Sequence, residues 1–313
     1  MAKIVVTGGA GFIGSHIADF AQNEGHEVHV IDNLLTGRIE NLESFCDSIT
    51  FHEIDLRDID KVKAAFEGAD YVFHQAALPS VPRSVEHPDE SNDHNVNATL
   101  NVLIAAKDCE VKRVVYAASS SAYGEQEGAF KIETMLPCPI SPYGVTKLVG
   151  EHYCQAFYHT YGLETVCLRY FNVFGPRQNP FSAYTGVMAI FIPLMLKGQR
   201  PTIYGNGSQT RDFTFIQNNV HANMLAMTAE AAPGEVFNIA CGENQTVLQI
   251  VETINKILGT QIEPIFAEAR TGDIKHSCAS VEKAKTLLGY TPLVSFEEGV
   301  ARTIEWYKKE LGL

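Results

Sequence analysis

Two side chains that can exchange protons stand four residues apart near the middle of the chain. Tyr143 and Lys147 form the pattern Y-x-x-x-K within Y-G-V-T-K. On a helix this spacing places the phenol and the ammonium on one face. A nearby ammonium favours the phenolate, so we expect Lys147 to lower the pKa of Tyr143 and make it a general base near neutral pH.

Three consecutive serines, Ser119, Ser120 and Ser121, follow a predicted strand. They would lie on the carboxyl edge of a parallel sheet, where such sheets bind ligands. By themselves they could form no more than a turn. Together with Y-x-x-x-K, a glycine-rich loop and Asn97 of N-V-N, they make a specific set of features.

A glycine-rich segment, T-G-G-A-G-F-I-G, follows the first predicted strand and begins the first predicted helix. Gly8, Gly11 and Gly14 allow a tight turn and a close backbone approach, and the helix N-terminus can receive a pyrophosphate. A plain strand-to-helix turn does not need three glycines at this spacing. The segment therefore predicts a dinucleotide site.

Two carboxylates follow at the ends of the next strands. Asp32 comes 18 residues after Gly14, where it would accept hydrogen bonds from the adenosine ribose and repel a 2′-phosphate. This favours NAD over NADP, although Arg38 nearby weakens the preference. Asp55 could reach the adenine amino group or could equally cap a helix over 56–67, and the sequence leaves both interpretations open.

These residues need a sheet that brings the strand ends together. Short apolar runs alternate with helical patterns in the first half, which predicts an α/β fold with a Rossmann-like, doubly wound parallel sheet. The predicted strands are Lys3–Thr7, Glu27–Ile31, Phe51–Ile54, Tyr71–His74, Arg113–Ala117 and Thr165–Leu168. The predicted helices are Ile13–Glu24, Ile59–Glu67, Val96–Asp108 and Tyr143–Tyr161.

Prolines and the G-N-G of 205–207 break this alternation after about Phe174. A strand at Val236–Ala240 looks able to rejoin the main sheet, and helices are predicted near 247–258, near 281–288 and over 296–310. We therefore expect an NAD-binding domain of residues 1–173 with a returning segment near 220–258. A smaller, interleaved substrate domain would take residues 174–219 and 259–313.

Composition excludes several classes of function. The 313 residues carry 24 Lys and Arg against 37 Asp and Glu, a net charge of −13 that argues against nucleic-acid binding. The seven cysteines lack a C-x-x-C pair and no histidine spacing typical of metal sites occurs, so we expect no metal. The longest apolar run, 187–196, is too short to span a membrane. The N-terminus leaves no room for a signal peptide, which predicts a cytoplasmic protein.

Several motifs resemble those of the extended short-chain dehydrogenase/reductase family, in order and spacing, over essentially the whole chain. They are T-G-G-A-G-F-I-G, D-N-L-L-T-G, S-S-S-A-Y-G, Y-G-V-T-K and R-Y-F-N-V-F-G-P-R. Within this family, F-H-Q-A-A-L-P-S-V-P-R-S, R-Y-F-N-V-F-G-P-R-Q and G-D-I-K-H-S are similar to UDP-sugar 4-epimerases. The resemblance implies an enzyme with tightly bound NAD that inverts C4 of a UDP-hexose through a 4-keto sugar. It also implies a homodimer in which the helices 96–108 and 143–161 pair.

The resemblance implies roles for individual residues as well. Tyr143 would be the catalytic base, Lys147 would hold the nicotinamide ribose and tune Tyr143, and Ser119 would hydrogen-bond the sugar 4-oxygen. The cofactor-binding residues would be Gly8, Gly11, Phe12, Ile13, Gly14, Asp32, Asn33, Thr36, Gly37, Asp55, Leu56, Gln75, Ala76, Ala77, Asn97, Tyr143, Lys147, Tyr170 and Phe171. The substrate-binding residues would be Ser80, Val81, Ser119, Ser120, Ser121, Tyr143, Asn172, Val187, Tyr204, Arg211, Arg270, Asp273 and Ser277.

The resemblance also bears on which sugar fits. Ser277 stands where epimerases confined to UDP-glucose and UDP-galactose usually have a large Tyr beside C2 of the sugar. A serine leaves room for an N-acetyl group, which predicts that UDP-N-acetylglucosamine and UDP-N-acetylgalactosamine are accepted beside the plain pair. Alternatively, Ser277 is an ordinary residue and another group, such as His276, closes the pocket.

Other functions of the same family are less well supported by the sequence. Nucleotide-sugar 4,6-dehydratases of the family carry an Asp-Glu pair where this chain has Ser120 and Ser121, and UDP-glucuronate decarboxylases carry a Glu in place of Ser121. These alternatives, with a UDP-glucuronate-type epimerase, are less well supported. An NAD-binding redox sensor without turnover would not need Ser119, Tyr143 and Lys147 together.

Overall fold

The apolar strands of the first half form one parallel sheet, and a strand from the second half joins its edge. A computed structural model describes residues 1–126, 128, 130–179, 186–268 and 276–313. With strands numbered along the chain, the sheet contains β1 (Lys3–Thr7), β2 (Glu27–Asp32), β3 (Thr50–Glu53), β4 (Tyr71–His74), β5 (Arg113–Ser119), β6 (Glu164–Tyr170) and β11 (Val236–Ile239). Its order is β11-β6-β5-β4-β1-β2-β3, and all neighbours are parallel.

Helices connect these strands. In the first half they are α1 (Phe12–Asn23), α2 (Ile59–Phe66), α3 (Val81–Glu86), α4 (Pro88–Asn92), α5 (Ala98–Asp108) and α6 (Pro142–Tyr161). One π turn, 93–97, precedes α5, and short 3₁₀ turns cover 39–41, 43–48 and 120–123. The predicted fold is confirmed, and the elements predicted from the sequence have bounds within two residues of those observed.

The second half contributes shorter elements. Its strands outside the main sheet are β7 (Val173–Phe174), β8 (Thr202–Tyr204), β9 (Thr210–Arg211), β10 (Thr214–Phe215), β12 (Gln245–Thr246), β13 (Ile265–Ala267) and β14 (His276–Ser277). Its helices are α7 (Val187–Leu196), α8 (Ile216–Thr228), α9 (Val247–Leu258), α10 (Glu282–Leu288) and α11 (Phe296–Leu311). The small strands pair as β10-β7, β12-β9-β14 and β13-β8. No helix within the described ranges combines the length and apolar character needed to cross a bilayer.

Successive residues of each strand face opposite sides of the sheet, so the strands serve two apolar cores. On β1, Ile4 and Val6 face the core shared with α1 and α8, whereas Val5 faces the core shared with α2, α5 and α6. The first core continues into the second half, where the ring centroids of Phe174 and Phe296 lie 5.8 Å apart. This shared core packs part of the second half against the same face of the sheet as α1 and α8.

Candidate active site

A cleft of about 850 Å³ opens at the carboxyl edge of the main sheet. Parallel strands end at the same edge, so residues far apart in the sequence meet there. The predicted site residues that line it are Gly8, Gly11, Phe12, Ile13, Gly14, Asp32, Asn33, Thr36, Gly37, Asp55, Leu56, Gln75, Ala76, Ala77, Ser80, Ser119, Ser120, Tyr143, Lys147, Tyr170 and Asn172.

The glycine-rich loop lies between β1 and α1 at one end of the cleft. Gly8 has a φ of 67°, in the region that favours glycine, and a Cβ there would lie 2.6 Å from Ala76 N. A Cβ on Gly14 would collide with the backbone of Gly8. A Cβ on Gly11 would meet a single atom of the described residues within 4 Å, the carbonyl oxygen of Gly8 at 3.0 Å. Gly8 and Gly14 thus keep the loop compact, while Gly11 leaves backbone open to a ligand.

Asp32 ends β2 beside this loop and is 8% exposed. Its carboxylate accepts hydrogen bonds from Ala10 N at 3.0 Å and from Leu34 N at 2.9 Å. Burial raises the pKa of Asp32, and the two backbone hydrogen bonds oppose that rise. The carboxylate therefore fixes the glycine loop against the second strand while it lines the cleft.

Asp55 follows β3 and also lines the cleft. It accepts hydrogen bonds from Arg57 Nη2 at 2.8 Å and Asn33 Nδ2 at 3.2 Å. The Arg57 guanidinium holds the pKa of Asp55 well below its usual range. Helix α2 is capped instead by Asp58, which accepts from Lys61 N at 3.4 Å. Of the two interpretations left open for Asp55, the helix cap is therefore wrong.

Tyr143 and Ser119 meet across the cleft. Both residues line the cleft, and Ser121 Oγ donates to Ser119 Oγ at 2.8 Å. Burial raises the pKa of Tyr143, and the neighbouring Ser119 side chain opposes that rise only in part. The lowered phenol pKa expected from the Y-x-x-x-K spacing is therefore wrong for this structure.

The direction of the Lys147 side chain explains this difference. Its Nζ donates to Ala117 O at 2.8 Å and lies 5.0 Å from the centre of the Tyr116 ring, against β5. Lys147 is 3% exposed, and burial lowers its pKa to about 8. Close to neutral pH the ammonium can therefore give up a proton more readily than a lysine in water.

Helix α6, which carries both residues, is fixed at its N-terminus by two serines. Ser141 is the N-cap, and its Oγ accepts from Gly144 N at 3.1 Å. Ser84 of α3 is fully buried and accepts from the backbone N of Tyr143 at 3.0 Å. These bonds set the height of the phenol above the sheet edge.

Asn95, not Asn97, is the asparagine that contacts this helix. Asn95 Nδ2 donates to Thr146 Oγ1 at 3.1 Å, and its Oδ1 accepts from Leu78 N at 2.8 Å. Asn97 is exposed, donates to Asp93 Oδ1 at 2.8 Å, and does not line the cleft. The π turn over 93–97 changes which side chains face inward, and the sequence spacing gave no sign of it.

Other predicted contacts lie away from the cleft. Val81, Ser121, Phe171, Val187, Tyr204, Arg211 and Ser277 do not line its described walls. Phe171 is fully buried beside the Tyr123 ring, because it faces inward at the end of β6. Arg211 and Ser277 are direct partners between β9 and β14. Arg270 and Asp273 lie outside the described residues.

Some cleft residues were not singled out from the sequence. They include Leu35, Asn41, Arg83, His94, Arg177, Gln178 and Asn179. Arg177 stands in a motif, R-Y-F-N-V-F-G-P-R, that could have indicated it, and its Nη2 lies 2.6 Å from Asp19 of α1. His94 had no such signal, and burial lowers its pKa. Across the described ranges, no three His, Cys, Asp or Glu side chains gather as a metal site would require.

Comparison with known proteins gives a consistent result. The sequence profile of the NAD dependent epimerase/dehydratase family matches residues 4–240. The chain is 35% identical over 312 residues to the UDP-glucose 4-epimerase of Mycolicibacterium smegmatis, covering 98% of this chain and 99% of that protein.

Two solved structures are similar over almost the whole chain. One is the UDP-glucose 4-epimerase of Thermotoga maritima with UDP-glucose, with a TM-score of 0.94, 40% identity and 99% of both chains covered. The other is the UDP-N-acetylglucosamine 4-epimerase of Methanobrevibacter ruminantium in complex with UDP-N-acetylmuramic acid, with a TM-score of 0.94, 39% identity and the same coverage.

Proposed function

The chain belongs to the NAD-dependent epimerase/dehydratase family, and we propose that it is a UDP-sugar 4-epimerase that inverts C4 of a neutral UDP-hexose. The observation that carries the proposal is that Ser119 and Tyr143 line the same cleft as the glycine loop. One end of the cleft suits a dinucleotide and the other presents two hydroxyl groups to a sugar.

The residues at the glycine loop fit NAD. Gly11 leaves the backbone open at the N-terminus of α1, where a pyrophosphate is favoured. Asp32 stands at the end of β2, in position for ribose hydroxyl groups. Lys147 lines the cleft near β5, where we place the nicotinamide ribose. A bound NAD would supply reversible hydride exchange with C4, so no net oxidant would be consumed.

The protein's own residues supply positioning and proton transfer. We assign Tyr143 to remove the proton from the 4-hydroxyl group and later return it. Ser119, which lines the same cleft, would bind the same sugar oxygen, and Ser121 orients Ser119 through the 2.8 Å bond. Ser120 and Ser121 carry hydroxyls where a 4,6-dehydratase would need an acid and a base, which argues against dehydration.

The charges around the cleft favour a neutral sugar. A glucuronate carboxylate would be bound best by an unpartnered cation. The cations that line the described walls already have partners: Arg38 with Glu40 and Glu310, Arg83 with Glu90, Arg177 with Asp19, and Lys147 with Ala117 O. We therefore infer that the substrates are the UDP-glucose/UDP-galactose pair and, through Ser277, the N-acetylated pair.

The domain division and the dimer also remain proposals. Because β11 pairs with β6, the chain returns to the main sheet after residue 219. This supports an NAD-binding domain of 1–173 with 220–258 and a substrate domain of 174–219 with 259–313. A homodimer would pair α5 and α6 of two copies, and Tyr161 at the end of α6 is 58% exposed.

The proposal is tested by incubating the purified protein with each UDP-hexose, without added NAD, and separating the epimers. Tyr143→Phe should lower kcat by about 10²–10⁴-fold and leave UDP-sugar binding largely unchanged, because the ring remains while the phenol is lost. Tyr158→Phe is the matched control, since Tyr158 lies on the same helix outside the cleft. Absence of epimers with every sugar, or near-normal turnover of Tyr143→Phe, would contradict the proposal.

A further inference from the structure

A carboxylate lies fully buried in the second half, outside the cleft. Asp212 stands between β9 and β10 and has 0% exposure. It does not line the cleft. A buried carboxylate is costly unless its charge is met by hydrogen bonds or a cation, so its surroundings need an explanation.

Four donors surround this carboxylate. Cys241 N donates to Oδ1 at 2.9 Å. Oδ2 accepts from Gly242 N at 3.0 Å, from Ala279 N at 3.3 Å and from the Cys278 thiol at 3.5 Å. No Lys, Arg or His makes an ion pair with Asp212 in the described ranges, so backbone amides carry the compensation.

The backbone of Asp212 binds further partners. Its N donates to Ser277 O at 2.9 Å, and its carbonyl oxygen accepts from Asn172 Nδ2 at 2.9 Å. One residue therefore fixes the segment after β6, the turn after β11 and the segment after β14 relative to one another. These segments, with the neighbouring Arg211, carry three of the residues predicted to bind the substrate.

The titratable groups that face Asp212 do not neutralise it. Cys241, Cys278 and Tyr290 lie close enough for the Asp212 charge to raise their pKa values, and Glu243 adds negative charge near Cys241. Burial raises the pKa of Asp212 to about 6. When Asp212 is protonated, one carboxyl oxygen carries a hydrogen. That O–H then points at a backbone N–H from which the oxygen could otherwise accept a hydrogen bond.

We propose that Asp212 is a positioning residue for substrate binding. Its carboxylate ties the turn after β11 and the segment after β14 to the end of β9, and these segments carry or adjoin the residues predicted to receive the UDP-sugar. This inference rests on the proposed function. It goes beyond it because Asp212 itself contacts neither the cleft nor a reacting atom. The loss of its acceptor capacity weakens the binding of the UDP-sugar, while NAD binding and proton transfer stay intact.

The test compares Asp212→Asn with wild-type holoenzyme. The asparagine keeps the shape of the side chain but turns one acceptor into a donor. We expect KM for UDP-glucose to rise by at least about tenfold, with kcat within about threefold and NAD content unchanged. Tyr290→Phe is the matched control, since it removes a buried hydrogen bond to Ala240 O in the same region. The control should keep the wild-type KM even if it unfolds at a lower temperature.

A second measurement keeps the inference testable if Asp212→Asn does not fold. The diphosphate of UDP-glucose stays fully ionised between pH 5 and 8, so binding changes in that range come from the protein. Wild-type affinity for UDP-glucose should fall as the pH drops below about 6. Affinity independent of pH, an unchanged KM in Asp212→Asn, or an equal rise in Tyr290→Phe would each overturn the inference. A wild type without epimerase activity would instead overturn the proposed function.

Discussion

At the scale of single residues, we propose that the Asp32 carboxylate sets the choice of dinucleotide. Asp32→Asn keeps an acceptor for Leu34 N and removes the negative charge that would repel a 2′-phosphate. We expect the ratio of NADP to NAD affinity to rise by about tenfold or more, which corresponds to about 1.4 kcal/mol. The measurement is titration of both dinucleotides into protein freed of its cofactor.

Asp55→Asn is the matched control for this variant. Asp55 also ends a strand at the cleft, but Arg57 already balances its charge at 2.8 Å. It should leave the NADP/NAD ratio nearly unchanged. Equal affinity of the wild type for both dinucleotides would refute the role given to Asp32.

Ser277 is the residue on which sugar selection is predicted to depend. It pairs with Arg211, and His276 separates it from residues 269–275, which are outside the described part of the chain. Ser277→Tyr should reject the N-acetylated sugars by steric overlap and spare UDP-glucose. The measurement is kcat/KM for both classes of sugar.

Ser277→Ala separates the two contributions of the serine to sugar selection. It removes the hydroxyl group without filling the space, so N-acetylated sugars should still be accepted. If Ser277→Tyr leaves the ratio of acetylated to plain kcat/KM unchanged, another group closes the pocket.

At the scale of elements, a buried ion pair joins the catalytic helix α6 to β6. Arg169 Nε and Nη2 lie 2.9 Å and 2.7 Å from the two Glu151 carboxylate oxygens, and both side chains are almost fully buried. The guanidinium also lies 4.6 Å from the centre of the Tyr123 ring. The pair therefore fixes the helix that carries Tyr143 to the strand that leads into Asn172.

Removing one member of this pair leaves the other charge buried without a partner. We expect Arg169→Met to lower the free energy of unfolding by about 3–5 kcal/mol, and the double variant with Glu151→Leu to recover most of that loss. Urea unfolding checks both. Lys308→Met, which breaks the exposed pair with Glu305, should cost less than about 1 kcal/mol. A cost that small for Arg169→Met would show that the pair does not fix α6.

At the scale of the whole molecule, we expect two histidines, one buried and one partly buried, to make stability depend on pH. His74 lies between Thr7 Oγ1 at 2.7 Å and Thr99 Oγ1 at 2.9 Å, and burial lowers its pKa to about 3. His16 contacts Pro176 O at 3.0 Å, and burial followed by the Arg177 charge lowers its pKa to about 4. Below pH 6.5 the unfolded chain therefore binds more protons at these sites than the folded chain does.

The contribution of these histidines to the free energy of unfolding should therefore be fully present above about pH 6.5. On acidification it should fall by about 1.4 kcal/mol per pH unit for each histidine. Asp212 has the opposite effect on the free energy of unfolding. Because its pKa is raised on folding, the folded chain binds more protons there below about pH 6, which favours the folded state. His16→Gln keeps a donor for Pro176 O without titrating. Between pH 7.5 and 5.0 it should lose about 2 kcal/mol less than the wild type in urea unfolding. Equal losses in the two proteins would contradict this account.

The sequence by itself determined the parallel sheet, the glycine loop and the position of the Ser119, Tyr143 and Lys147 triad. These depend on local patterns, since strand and helix periodicities and glycine spacing are read along the chain. Because parallel strands end at one edge, the order of elements alone predicts that Gly8, Asp32 and Ser119 meet there.

Only the tertiary structure decided how the side chains around these residues are arranged. The π turn directs Asn95, not Asn97, inward. The Lys147 ammonium donates to Ala117 O, and burial raises the pKa of Tyr143. The sequence did not indicate a role for Asp212, because its partners are backbone amides from segments some 30 and 67 residues away. Such contacts depend on packing in three dimensions, which no spacing along the chain records.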